Sequence, residues 1–140
     1  MRIQSIFITA STFTIYNLKE LLLGSGATSS NIKVGGCANL RKIKLPATLT
    51  GITENLLNSN VQRLAYLKIP SGVNTIAAQA FSTRGVVTYD FSDHTSVPTL
   101  ENTNAFLVTD ATRILVPSSL YNTWKTTTNW VTFADYIVAV

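Results

Sequence analysis

The sequence predicts a β-rich solenoid, a stack of short repeated units that share one core. Three observations predict it. A segment recurs at an offset of 24 residues. Within it, apolar and polar residues alternate with period two and then stop at a proline. The units at the two ends depart from the pattern, as the ends of a stack must, because each has an apolar face with no neighbouring unit to cover it.

The two clearest copies are Leu40-Arg41-Lys42-Ile43-Lys44-Leu45-Pro46 and Leu64-Ala65-Tyr66-Leu67-Lys68-Ile69-Pro70. The correspondence continues through Leu49 and Val73, Ile52 and Ile76, and Leu57 and Phe81. A further copy, Ile114-Leu115-Val116-Pro117, lies two periods on, and Val86-Val87-Thr88-Tyr89-Asp90-Phe91 fills the gap. Upstream, Leu18-Lys19-Glu20-Leu21-Leu22-Leu23 and a shortened unit at Ile3, Ile6 and Ile8 bring the count to six.

Ile43-Lys44-Leu45 and Leu67-Lys68-Ile69 read as half-buried strands. A strand of about four residues cannot bury its own apolar face, so neighbouring units must share a core. Pro46, Pro70 and Pro117 end the ladder because proline has no N–H to donate. The expected core is Leu40, Ile43, Leu45, Leu49, Ile52, Leu64, Leu67, Ile69, Val73, Ile76 and Phe81, with Ala80-Phe81 and Ala105-Phe106 repeating an aromatic position. An evenly spaced β-sandwich is the alternative, although it does not require proline and phenylalanine to recur in register.

The ends differ. Residues 1–17 form a degenerate first unit, 18–117 the repeats and 118–140 a C-terminal cap, all within one domain spanning 1–140. Met1 to Thr9 is read as structure rather than as a leader, because Gln, Ser and Thr interrupt its apolar stretch. Pro117-Ser118-Ser119 before Leu120 and Trp124 predicts a short capped helix. Trp124, Trp130, Phe133, Tyr136, Ile137 and Val138 predict a lid over the last unit.

Composition limits the function classes. The chain is 46% hydrophobic and 13% charged, and Thr, Ser and Asn together supply 43 of its 140 residues. That excludes disorder driven by low hydrophobicity and high charge. A single cysteine, Cys37, excludes an intrachain disulfide and a cysteine-based zinc site. A single histidine, His94, excludes histidine-cluster metal sites. The net charge of +4 is uneven: residues 1–85 carry +7 and residues 86–140 carry −3. The cations are dispersed, so no nucleic-acid partner is expected. No window approaches ~18–20 apolar residues, so no membrane insertion is expected.

Catalytic chemistry finds little support. His94 sits in Asp93-His94-Thr95-Ser96, which reads as a solvated loop, a poor setting for a serine–histidine pair. Asp90, Asp93 and Asp110 lack calcium-loop spacing. Gly24-Ser25-Gly26 and Gly35-Gly36 lack the lysine of a phosphate loop and read as tight turns. No enzyme activity and no cofactor are expected.

The stretch Cys37-Ala38-Asn39-Leu40-Arg41-Lys42-Ile43-Lys44-Leu45-Pro46, the Ala80-Phe81 pair and the closing unit from Ile114 to Ile137 resemble the BspA-type leucine-rich repeats of bacterial surface proteins. The resemblance covers roughly residues 18–138. It implies a right-handed leucine-rich-repeat solenoid, mostly β, with a curved parallel sheet on the concave face and an irregular or 3₁₀ convex side. It implies a cell-surface or extracellular binding and adhesion module, and similar repeats occur in phage tail and virion proteins. Gly24 and Ser92 stand where that pattern has proline, and Ser96-Val97-Pro98-Thr99-Leu100 reads as an insertion. Cys37 occupies a core-facing position, where a thiol acts as a small hydrophobe.

Strand alternation places two rows on the concave face. One is Glu20, Lys42, Tyr66, Thr88 and Arg113; the other is Leu22, Lys44, Lys68, Asp90 and Leu115. The candidate binding residues are therefore Lys42, Lys44, Tyr66 and Lys68, with Thr88 and Asp90 at the edge. A cationic patch around one tyrosine suits an acidic protein segment or an anionic glycan on another cell. The alternative is a structural or receptor-recognition part of a virion, whose partners are neighbouring subunits of its own assembly. Lysines that merely keep a strand face soluble would look the same.

Overall fold

The computed structural model describes residues 2–6, 11–12, 17–25, 32–34 and 36–140. Its strands are β1 Arg2–Ile6, β2 Ser11–Thr12, β3 Glu20–Leu23, β4 Ile32–Lys33, β5 Lys42–Lys44, β6 Gly51–Ile52, β7 Tyr66–Lys68, β8 Thr75–Ile76, β9 Thr88–Asp90, β10 Thr99–Leu100, β11 Arg113–Val116 and β12 Ile137–Ala139. All strand pairs among the described residues are parallel. Each repeat adds one strand to a main ladder and a two-residue strand to a second ladder. The main ladder runs β1-β3-β5 and then β7-β9-β11-β12; the second runs β6-β8-β10, with β2-β4 apart.

The strands form where the alternation predicts them. Ile43 and Leu67 are buried while Lys42, Lys44 and Tyr66 are exposed. After Pro46, Pro70 and Pro117 the chain turns through the same backbone bond: Leu49 N–H to Pro46 O, Val73 N–H to Pro70 O and Leu120 N–H to Pro117 O, at 2.9–3.0 Å. Fixed proline geometry makes this turn repeatable, and it returns Leu49 and Val73 to the core. Parallel bridges join Leu57 to Phe81 and Phe81 to Phe106, which continues the aromatic row. All eleven expected core residues are buried, as is Cys37. Ile8, Gly26 and Gly35 lie outside the described residues.

Four expectations are corrected. His94 is 4% exposed rather than solvated. Its backbone N–H donates to Phe91 O at 3.0 Å, the turn that in the other units follows proline. Register pairs Lys68 with Asp90, so this turn starts one residue early and His94 takes the inward place of Leu49 and Val73. Second, Thr99-Leu100 is not inserted: it is β10, paired with Thr75-Ile76. Tyr66 pairs with Thr88, 22 residues on, whereas Thr75 pairs with Thr99, 24 residues on, so the extra chain lies between Asp90 and Thr99.

The third correction concerns the helix start. The 3₁₀ turn Ser118–Leu120 precedes helix α1, Tyr121–Thr126, and no side chain caps either one. The fourth concerns the end of the chain: Ile137–Ala139 is a strand that extends the main ladder beside β11, so the last unit is closed by strand addition as well as by a lid. Trp124 and Trp130 are fully buried against Phe91, and Phe133 packs on Phe106.

Candidate functional site

The outward face of the main ladder carries both expected rows. Glu20 pairs with Lys42 and Leu22 with Lys44; Tyr66 pairs with Thr88 and Lys68 with Asp90; Thr88 pairs with Arg113 and Asp90 with Leu115. Parallel register keeps like positions side by side within each part of the ladder: Lys42 and Lys44 on β5 beside β3, and Tyr66, Lys68, Thr88 and Asp90 on β7 and β9. Tyr66 is the largest exposed apolar group of the outward face, at 49%.

The electrostatics differ from the expected cationic patch. Lys42 Nζ lies 3.2 Å from Glu20 Oε1. Lys68 Nζ lies 2.8 Å from Asp93 Oδ2 and 3.6 Å from Asp90 Oδ2, and contacts Ser92 Oγ at 3.3 Å. Tyr66 donates its hydroxyl proton to Asp90 Oδ2, and Ser92 N–H donates to Asp90 Oδ1 at 2.9 Å. Asp90 is thus a buried hub rather than an edge residue. Burial pushes its carboxyl up, but the bonds from Ser92 and Tyr66 and the Lys68 charge outweigh this and hold it below the usual carboxylate range. Burial and the Asp90 bond push the Tyr66 hydroxyl up to about 12. The bond to Asp93 raises the Lys68 ammonium despite partial burial. Tyr66 therefore stands as a neutral ring fixed by its hydroxyl, in a patch whose charges are largely matched.

Between β5 and β7 the main ladder opens. No backbone hydrogen bond joins these strands among the described residues, although β6 and β8 of the same two units stay paired. The opening is a half-open groove of about 360 Å³, walled by Ile43, Leu45 and Pro70, with Lys44, Lys68 and Asp93 around it.

The buried His94 belongs to the lid, not to this face. Its Nε2 lies 3.2 Å from Val73 O, and its ring packs on Phe91 and Trp124. A carbonyl only accepts, so Nε2 carries the proton. Burial lowers its pKa. Among the described residues, no group of three His, Cys, Asp or Glu side chains is placed to hold a metal ion.

The ladder register and the proline turns meet the family comparison at the same residues. A model of the BspA-type leucine-rich repeat region, in six copies, matches residues 6–127. The chain belongs to the BspA-type leucine-rich repeat family. No curated protein sequence matches it. Such repeats serve generally as protein-binding modules. Among the described residues no helix is long and apolar enough to cross a membrane.

Within this BspA-type frame, sequence reasoning missed Asp93 and the structural role of Ser92. The signal for Ser92 was visible as a departure from proline. Asp93 had none, because its pairing with Lys68 depends on the shape of the following turn.

Proposed function

We propose that the chain is a non-enzymatic recognition module that binds a protein partner across the open face of its main ladder. The units wind as a right-handed solenoid with that face concave, in the manner of the family. The observation that carries the reading is Tyr66: a half-exposed aromatic ring, held by a buried carboxylate, on a strand face that is mostly charged. Interfaces favour such rigid rings, because little conformational entropy is lost on binding. The matched charges around it favour specificity over bulk attraction, since a partner must offer complementary partners in register. The setting that the family supports is a cell-surface adhesion role. The low count of catalytic groups and the structural use of His94 support a non-enzymatic role.

The test is capture of partners on the immobilised chain, followed by Tyr66→Ala and Arg113→Ala variants and, as controls, Asn74→Ala and Glu101→Ala beside the second ladder. Open-face variants should lose at least about ten-fold in affinity, as expected for central aromatic or arginine anchors. Equal capture by all four variants would move the site off this face.

A further inference from the structure

The groove between β5 and β7 is built differently from the rest of the open face. Elsewhere along the ladder each strand's peptide groups are bonded to the next strand. Here the Ile69 N–H donates to Asp90 O on the β9 side at 2.9 Å. Alternation along a parallel strand turns the N–H and C=O of Lys68 the opposite way, toward β5, where no ladder bond pairs them. The groove combines apolar walls from Ile43, Leu45 and Pro70 with the Lys44 and Lys68 side chains and the Asp93 carboxylate at its mouth, beside the inferred Lys68 N–H. The two ammonium groups are not equivalent. Lys68 is engaged by Asp90 and Asp93. Lys44 is exposed and, among the described residues, has no ion-pair partner.

We propose that this groove holds the C-terminal residue of a partner protein, with an aliphatic side chain on the apolar walls and the terminal carboxylate at Lys44 and the Lys68 N–H. The proposal rests on the reading of the open face as a docking surface and names what anchors there. Charge complementarity selects the carboxylate, and the apolar walls select an aliphatic group beside it. Geometry selects a chain end. A through-running strand would need about 4.8 Å on each side, whereas the β6-β8 pairing holds these two units one strand spacing apart. A volume of about 360 Å³ sits at the small end of ligand pockets and suits a terminal residue. Backbone donors that capture a chain-terminal carboxylate are a recurring recognition mode.

The experiment titrates the ¹⁵N-labelled full chain with three acetylated tetrapeptides: one ending Gly-Leu with a free carboxylate, its C-terminal amide, and an amide-ended peptide with an internal Leu-Glu. The free acid should shift the Lys44 and Lys68 amide resonances and saturate in the roughly millimolar range, as suits a one-residue anchor. The amide should bind at least ten-fold more weakly. Lys44→Gln should cost at least five-fold, whereas Arg84→Gln, an exposed cation outside the groove, should cost nothing. Asp93→Asn should tighten binding by releasing Lys68. Equal binding of acid and amide, indifference to Lys44→Gln, or weakening by Asp93→Asn overturns the proposal. A Leu-Glu peptide that matches the free acid overturns the chain-end assignment and gives the groove to an acidic side chain. If no peptide binds but the Tyr66 and Arg113 variants still lose their captured partner, the groove proposal falls and the open-face reading stands.

Discussion

Ser92 follows Asp90 by two residues, as Pro70 follows Lys68, the ladder partner of Asp90, and the Ser92 N–H donates to Asp90 Oδ1 at 2.9 Å. A proline there could not make that bond. The break in the repeat is therefore what allows a carboxylate to be buried in the ladder, where it ties Tyr66 to Lys68. Ser92→Pro restores the repeat pattern and should nevertheless destabilise the chain by about 1–3 kcal/mol, the range for losing a bond to a charged, buried acceptor. The bonds hold the Asp90 pKa down, so its contribution is present above the unfolded value near ~3.9 and lost as pH falls through the folded value. Urea denaturation at pH 7 and pH 3 should show the wild-type advantage over Ser92→Pro shrinking at the lower pH.

Leu67 and Lys68 are adjacent and differ in almost everything that sets stability. Leu67 is fully buried between units, so Leu67→Ala should cost about 2–5 kcal/mol through lost burial and a residual cavity. Lys68→Ala removes partly exposed ion pairs and should cost about 1 kcal/mol or less. Denaturation midpoints measured on both variants check the strand phase. Equal losses would place it wrongly.

Among the described residues, the lid bonds to β10 and to the residue just before it. Trp130 Nε1–H donates to Pro98 O at 2.8 Å, and Asn129 Nδ2–H donates to Leu100 O at 2.7 Å. Trp130→Ala should cost about 3–5 kcal/mol, because the ring also fills the space over Phe91 and Phe106. Asn129→Ala should cost about 1–3 kcal/mol, since it removes one bond and places alanine at φ 65°, a left-handed conformation that asparagine tolerates better. Asn129→Gly separates the two effects: it relieves the backbone cost and keeps the hydrogen-bond loss. Thermal unfolding of the three variants should rank Trp130→Ala lowest and Asn129→Gly highest.

The period-two alternation around Ile43, Leu67 and Ile114, closed by proline, was enough to place the main ladder and both face rows. Side-chain direction in a strand follows from sequence parity, so those positions were legible. His94 was not, because its burial depends on a turn that starts one residue early, and a run of Asp, His, Thr and Ser reads locally as solvent-exposed. The charge matching at Lys68 was also hidden. Parity put Asp90 beside it, but Asp93 reaches it through turn geometry. The parting of β5 from β7 left no trace, since Ile43-Lys44-Leu45 and Leu67-Lys68-Ile69 carry the same pattern. Ile137-Val138-Ala139 lacks a polar residue to mark its alternation, so its pairing with β11 was not visible either.

The buried histidine makes the chain acid-sensitive in a defined direction. His94 gives its Nε2 proton to Val73 O, and its Nδ1 is buried with no partner among the described residues. Protonation would place a charge inside a wall formed by Phe91 and Trp124, where the Val73 and Phe91 backbone contacts offset burial only in part. Burial accordingly lowers the pKa, against smaller opposing effects from the Val73 bond and the Asp93 charge, while the Lys68 charge adds to the lowering. The unfolded chain, with an ordinary histidine near ~6.5, therefore binds the proton first as pH falls. Stability should be independent of this group above that value and should decline as pH drops below it, until the folded value is passed and both states are protonated. His94→Gln can keep a donor to Val73 O and cannot titrate. Urea midpoints measured at pH 7.5 and pH 5.5 should fall for the wild type and stay nearer constant for His94→Gln. A variant that loses as much stability on acidification as the wild type would show that the carboxylates, not His94, set the response.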